Sequence, residues 1–370
     1  MKKAFTFIEL IIVIIVLGVL SNITFDILAH VYKNYIYTKE MNKLNSKLDY
    51  TIEIISAKLR DRVRNSVIVT KYPSKFDESD SSLVDFKPIY EIQEGDSDYK
   101  ILEWIGKDYE AKNGMWDESL GHIQTGWSGF VDLEMQDIHK TNNNPKEFNI
   151  TTPDSNFTIV KLIDRNITAS YGFDQDPFES NTTTLIFSGD DLGGDIVDDI
   201  DNNKEKEINH SYGWYYDDNI TLPESKKRLA RAVFAIQGYK EYINNNSPQV
   251  DLNITAISRN DGTNRLYSRY YLVRSAYAIV PIENNETKDG REIHDYNLTF
   301  VYNYQPWQGD WWNGTHGESN STLLATHVTE IRFKKDLTTS IIRLYICIQS
   351  EVMEINSTRN LTLCKEKAIF

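Results

Sequence analysis

The chain has 370 residues, 40% of them hydrophobic, and a formal net charge of −14. That length suffices for one large domain or two small ones, and the acidic balance argues against a nucleic-acid backbone as a generic partner, because phosphate binding rests on Lys and Arg. The first predicted element is Phe5 to Phe25, FTFIELIIVIIVLGVLSNITF, which carries one acid, Glu9, and no base. About 20 apolar residues is the length that crosses a bilayer core as a helix. Lys2 and Lys3 precede it, which puts the short side in the cytoplasm by the positive-inside rule and exports the rest.

A secretory signal peptide also begins with a short basic segment and an apolar run, and Gly18 to Asn22 offers a loose small-residue cleavage site. It has no need of a carboxylate inside that run. An acid in a bilayer costs a few kcal/mol on insertion scales, so Glu9 is read as functional. The stretch KKA-FTFIEL resembles the processing motif of type IV prepilins and type II secretion pseudopilins. The resemblance covers only the N-terminal segment. It implies a leader of residues 1–4, a cut between Ala4 and Phe5, N-methylation of the new Phe5 amine, and Glu9 kept as the fifth mature residue. Two departures stand out: Ala4 replaces the usual Gly before the cut, and no Pro lies near Asp26, where many pilins kink. The implied partners are prepilin peptidase, the inner-membrane assembly platform and other pilin or pseudopilin subunits. A charge left unpaired in low dielectric is expensive and a paired one much less so, so Glu9 is expected to meet the Phe5 amine of a neighbouring subunit.

Beyond the span, Met41, Leu44, Leu48, Ile52, Ile55, Leu59 and Val63 recur at spacings of three and four, one apolar face of a helix. A helix from Phe5 to about Arg64 would be roughly 90 Å long at about 1.5 Å per residue. Its second half is expected to press on a head domain; a coiled-coil partner is the competing reading of the stripe. Pro73 marks an end. Residues 74–225 are rich in turn formers, with short apolar bursts at Ser82–Ile92, Ile101–Ile105, Phe157–Ile163 and Thr184–Phe187 that read as strands. Thr221-Leu-Pro-Glu224 has capping-box spacing ahead of a possible helix. Yet Leu229, Arg231, Phe234, Ala235 and Ile236 recur in order as Leu272, Arg274, Tyr277, Ala278 and Ile279, in a segment that reads as a strand, so the first copy stays open between helix and strand. VTEIRFKKD, TSIIRLYICIQ and TRNLTLCKEKAIF form a terminal meander. The expected fold is α+β and pilin-like: leader 1–4, transmembrane and filament-core helix 5–25, helix continuation 26–66, and a β-rich exported head 67–370.

Cys347 and Cys364 lie on the last two segments, and an even count in an exported chain favours a disulfide over two buried thiols. Of 31 Asn, 15 begin an Asn-x-Ser/Thr triplet, against about four for random placement. Eleven of these have Asp or Glu two residues earlier: Asn149, Asn156, Asn166, Asn181, Asn209, Asn219, Asn253, Asn285, Asn297, Asn320 and Asn356. This resembles the acidic acceptor sequence of a periplasmic oligosaccharyltransferase of some Gram-negative bacteria, and it implies N-glycans on exposed loops. The competing reading is that Asn, Asp, Ser and Thr are simply turn residues.

The acidic stretch 189–207 departs from the EF-hand template, with Lys204 where Gly is needed. It leaves Asp195, Asp198, Asp199 and Asp201 as candidate calcium ligands or as a solvated acidic loop. Trp307, Trp311 and Trp312, with Tyr302, Tyr304 and His316, form an aromatic loop, either folded over the sheet or open to a sugar or protein partner. No G-x-S-x-G, H-E-x-x-H or P-loop motif occurs, and no enzymatic activity is expected. The expected role is a minor pilin or minor pseudopilin near a filament tip, held in the bacterial inner membrane with its head in the periplasm until assembly. A tip adhesin or DNA-binding minor pilin and, remotely, an anchored periplasmic enzyme are the alternatives.

Overall fold

The computed structural model describes residues 7–71, 85–93, 96–118, 121–132, 147–172, 174–188, 212–215, 230, 232–244, 247–257, 266–284, 287–288, 291–292, 295–314, 317–335, 341–353 and 360–370. In chain order these form α1 (Phe7–Arg60), β1 (Ile68–Lys71), β2 (Phe86–Pro88), β3 (Tyr99–Lys107), α2 (Tyr109–Asn113), β4 (Met115–Asp117), β5 (His122–Gln124), β6 (Glu147–Pro153) and α3 (Phe157–Ser170). There follow β7 (Thr184–Phe187), β8 (Val233–Asn244), β9 (Ser247–Ala256), β10 (Tyr270–Asn284), β11 (Thr287–Lys288), β12 (Arg291–Glu292), β13 (Asp295–Tyr304), β14 (Asn320–Lys335), β15 (Ile342–Met353) and β16 (Asn360–Ile369).

The single helix α1 runs 54 residues without a break. Its stripe is buried where the spacing predicted from Met41 to Leu59: Leu44, Leu48, Ile52, Ile55 and Leu59 all lie in the core, and Met41 is half-buried. The helix stops at Arg60, short of the expected Arg64, and Val63 packs instead with Ala276 and Ala278 in a separate core. The surface they meet is formed by Phe300 of β13, Val328, Ile331 and Phe333 of β14, Leu344, Ile346 and Ile348 of β15, and Ile369 of β16. The head, not a second helix, therefore covers the stripe. Polar clips flank it: Lys47 Nζ donates to the carbonyl and hydroxyl of Thr326 (2.9 and 2.6 Å), and Lys365 and Lys367 pair with Asp49 and Glu53. The Lys367 ammonium holds the Glu53 carboxyl below its ordinary range. At the helix C-terminus, Arg62 Nη1 donates to the Leu59 carbonyl at 2.7 Å and reaches the Phe370 carbonyl at 3.3 Å, so a cation satisfies an end carbonyl where the helix dipole is negative.

Among the described residues the head is built on a twelve-stranded antiparallel sheet, ordered β16-β15-β14-β13-β10-β7-β8-β9-β6, with β3 on β10 and β1 and β2 beside it, and the pairs β4-β5 and β11-β12 form two separate two-stranded sheets. The three terminal segments form the expected meander, and β15 and β16 are linked by the Cys347–Cys364 disulfide, whose residues face each other across the ladder. A closed loop of this size stabilises by about 3 kcal/mol on the chain-entropy model. Strand β10 joins two halves. The register shifts between Val273 and Ser275, and the facing changes with it: Tyr270 and Leu272 join a core beneath α3, whereas Tyr277 and Ile279 face the core beneath α1. The opposite face carries Ala276, Ala278 and Val280, covered by Tyr212, Trp214, Trp307 and Trp311.

Ile101–Ile105 and Thr184–Phe187 are strands as expected. Of the burst Ser82–Ile92, only Phe86–Pro88 pairs; a single 3-10 turn follows at Ile89–Glu91, and residues 82–84 lie outside the described set. Phe157–Ile163 is not a strand but the start of α3. Asn156 caps that helix, its Oδ1 accepting from Ile159 N at 2.9 Å. The buried face is Phe157, Val160, Asp164 and Thr168, helical spacing hidden from an apolar count by two polar members. Phe234–Ile236 lie within β8, so both copies of the internal repeat are strands where described; Leu229, Arg231 and the capping box at Thr221 lie outside the described residues.

Replacing Ile55 with Ala removes a fully buried side chain between helix and sheet and is expected to cost about 2–5 kcal/mol. Ile243→Ala, at an exposed position, is expected to stay within about 0.5 kcal/mol of the parent. Denaturant unfolding of the full chain in detergent, followed by Trp fluorescence, measures both.

Candidate functional site

Ala4 and Phe5 lie outside the described residues, and Glu9 sits exposed in the first turn of α1. From Phe7 to Val31 every large apolar side chain of α1 is exposed, and the most apolar window has no residue covered by the rest of the chain. A helix apolar on all faces is stable only when something apolar surrounds it. This one is long and apolar enough to cross a membrane.

The acidic sequons fall into the fold in an unexpected way. Asn209, Asn219, Asn285 and Asn356 are outside the described residues. Of the remaining seven, Asn149, Asn253, Asn297 and Asn320 are on strands, Asn166 is inside α3, Asn156 is its cap, and Asn181 is in a turn with φ 53°. Exposed loops are therefore not where most of them sit. The reason is periodicity. Acid, Asn and Thr are spaced by two, which in a strand puts all three on one face. In β6 and β9 two such stripes pair in register: Glu147 opposes Thr255, Asn149 opposes Asn253 and Thr151 opposes Asp251. Their partners between, Phe148, Ile150, Leu252 and Ile254, are buried. At these positions the acceptor pattern coincides with the polar face of an amphipathic strand.

Several of the sequon acids and hydroxyls are also structural. Thr151 Oγ1 donates to Asp251 Oδ1 at 2.7 Å, and Thr183 Oγ1 donates to Asp164 Oδ2 at 2.6 Å, so in both cases the hydroxyl of one sequon holds the acid of another. Asp164 is fully buried beside Asp108 and Arg274, whose Nε lies 3.6 Å from Asp164 Oδ1. Burial, and then repulsion by Asp108, push the Asp164 carboxyl well above its ordinary value, with Arg274 and Thr183 opposing. Burial alone would lower the Arg274 guanidinium, but the two carboxylates more than offset it. Asp295 is buried too: Asn284 donates to it at 3.0 Å, Gln349 at 2.9 Å, and His327 Nδ1 lies at 2.7 Å.

A further buried acid, Glu103, sits inside the apolar strand β3 and receives hydrogen bonds from Thr70 (2.7 Å), Tyr304 (3.1 Å) and Tyr215. Burial raises its carboxyl to about 7, against the pull of those three hydroxyls. The sequence signal that could have revealed it is a lone acid in the run Ile101-Leu-Glu-Trp-Ile105.

The aromatic loop is folded over the sheet: Trp307, Trp311 and Tyr304 are buried, and Trp307 Nε1 donates to the Asn181 carbonyl at 2.9 Å, while His316 is outside the described residues. Beside it opens a half-enclosed pocket of about 240 Å³ lined by Gln175, Ser180, Thr182, Asn303, Gln305, Gln308, Asp310 and Glu318, among others. Burial, with Glu318 adding to it, raises the Asp310 carboxyl to about 6. Asp195, Asp198, Asp199 and Asp201, the candidate calcium ligands, lie outside the described residues; among those described, no group of three or more His, Cys, Asp or Glu is placed to hold a metal.

Glu103 makes stability depend on pH. Its carboxyl holds a proton up to about pH 7 in the fold but loses it near 4.5 when unfolded, so the folded state binds more protons between those values and stability falls as pH rises through them. The contribution is complete below about pH 4.5 and amounts to roughly 3 kcal/mol. Glu103→Gln is expected to flatten that decline relative to the parent, as read from urea unfolding at pH 5 and pH 8. No family model, curated protein or solved structure matches this chain.

Proposed function

We propose that the chain is a minor pilin or minor pseudopilin, inserted in the bacterial inner membrane by the first half of α1, with its head on the periplasmic side, and then assembled into a type IV pilus or a type II secretion pseudopilus. The observation that carries this reading is the division of one unbroken helix: exposed from Phe7 to Val31 and apolar on every face from Leu10 to Leu20, then buried under a sheet from Leu44 to Leu59. A helix of 54 residues is roughly 80 Å long, enough to span a bilayer and still reach across a head. The motif KKA-FTFIEL supports the same reading from the sequence.

In this role, prepilin peptidase cuts between Ala4 and Phe5, the new amine is methylated, and Glu9 pairs with the Phe5 amine of a neighbour in the filament core. The assembly platform extracts the helix from lipid into a bundle of like helices, an exchange between two apolar surroundings that costs little. A head with a twelve-stranded sheet is bulky for a repeating subunit and better suited to a tip, where one copy suffices. The acidic sequons are N-glycan acceptors in this reading. A tip adhesin is the second reading, favoured by the polar pocket beside the aromatic loop.

Intact-mass and peptide mass spectrometry of the protein purified from its native membrane is expected to find a mature N-terminus at N-methylated Phe5 and sugar on peptides carrying the acidic sequons. A retained Met1, or a cut within Gly18 to Asn22, would remove the pilin assignment.

A further inference from the structure

We infer that sugar is added at Asn166 and Asn297 only before the head folds, and that the acids which mark these two acceptors afterwards become part of the core. The inference rests on the proposed glycosylation. An enzyme that reads an acid two residues before the Asn and a hydroxyl two residues after it must reach all three side chains on one stretch of chain.

In α3 that is impossible. Asp164 and Thr168 are four residues apart and share one helix face, while Asn166 lies about 200° around the helix from Asp164. Asp164 is 0% exposed and accepts from Thr183; Thr168 is 4% exposed, its hydroxyl donating to the carbonyls of Asp164 and Arg165. The acceptor Asn166 points outward, yet both of its markers point into the core.

In β13 the obstacle is the ladder. Asp295, Asn297 and Leu298 pair with Asn284, Ile282 and Pro281 of β10, and on the other side Leu298 and Thr299 pair with Ala325 and Leu323 of β14. The backbone is thus held from both edges, Asp295 is 2% exposed, and its carboxylate is bonded to Asn284, Gln349 and His327.

Asn320 is the contrast within the same fold. It opens β14, where it pairs with Tyr302 of β13 on one edge and its Oδ1 accepts from Asn303 Nδ2 at 3.0 Å. Its flanking Glu318 and Thr322 are nonetheless exposed, and the other edge is unpaired because β14 meets β15 only from Val328 onward. Its sequon stays legible after folding.

In the transfer, the Asn amide nitrogen bonds to the anomeric carbon of a lipid-diphosphate-linked oligosaccharide and the carbon–oxygen bond to the diphosphate breaks. The lipid diphosphate leaves with that electron pair and the amide gives up one proton, so no oxidant or reductant is needed. The full chain, produced without sugar and folded in detergent micelles, is incubated with an oligosaccharyltransferase of acidic-sequon specificity and its lipid-diphosphate donor. Free peptides spanning 160–172 and 291–303 run in parallel, and site occupancy is read by mass spectrometry.

The peptides are expected to take sugar. The folded chain is expected to take it at Asn320 but at least about a hundredfold more slowly at Asn166 and Asn297, because a stable core opens in about one molecule in a thousand or fewer. Transfer to either site of the folded chain at the peptide's rate overturns the inference while leaving glycosylation standing. Peptides that take no sugar remove the glycosylation reading itself.

Discussion

One unbroken helix has to be dissolved in two media, and most of the architecture follows from that. From Leu10 to Leu20 α1 has no polar face, and over its second half it has an apolar stripe only one side chain wide. Water suits neither completely. The first half calls for lipid or other apolar helices, and the second for a surface wide and flat enough to cover four turns. A sheet supplies that surface because alternate residues of β13 to β16 present Phe300, Val328, Ile331, Phe333, Leu344, Ile346 and Ile369 on one side. Ion pairs to Asp49 and Glu53 at the rim set the helix orientation but add little energy, since exposed pairs are screened by water.

The other half of the head solves a different problem. Beneath α3, the fold places two carboxylates and one guanidinium, Asp108, Asp164 and Arg274, in a dry interior. Such groups hold a fold less by net energy than by the penalty for leaving any one of them without its partners. They sit where β10 changes register and where α2 meets α3, so a misplaced strand there would strand a buried charge. Glu103 plays the same part on β3, tying β1, β13 and the segment at Tyr215 together through three hydroxyls.

Legibility followed periodicity. The α1 stripe and the terminal meander could be read from residue order because their patterns are nearly uninterrupted: apolar at three and four in the helix, alternating in the strands. Helix α3 could not, because Asp164 and Thr168 occupy its inner face and break the apolar count. The sequons show the opposite failure. Acid, Asn and Thr at intervals of two are both an enzyme's acceptor pattern and the wet side of an amphipathic strand, and residue order cannot separate the two. Pairing between distant segments separates them, as where Asn149 meets Asn253 across β6 and β9. The buried acids and the pocket at Asp310 depend on contacts among residues far apart in the chain, which no local window contains.

The place where α1 docks has a consequence for the order of events during synthesis. Its stripe ends at Leu59, but the surface that covers it includes β15 and β16, and Asp49 meets Lys365 across 316 positions of chain. At about 5–20 residues per second, the ribosome needs on the order of 15–60 s to supply those strands. For that interval the earliest-made apolar stripe has no final partner, and the last residues made are the ones that close it. Contacts of such long sequence separation are slow to form even once the chain is complete. A nascent chain of this kind therefore carries an incompletely covered apolar stripe until its last two strands have been made.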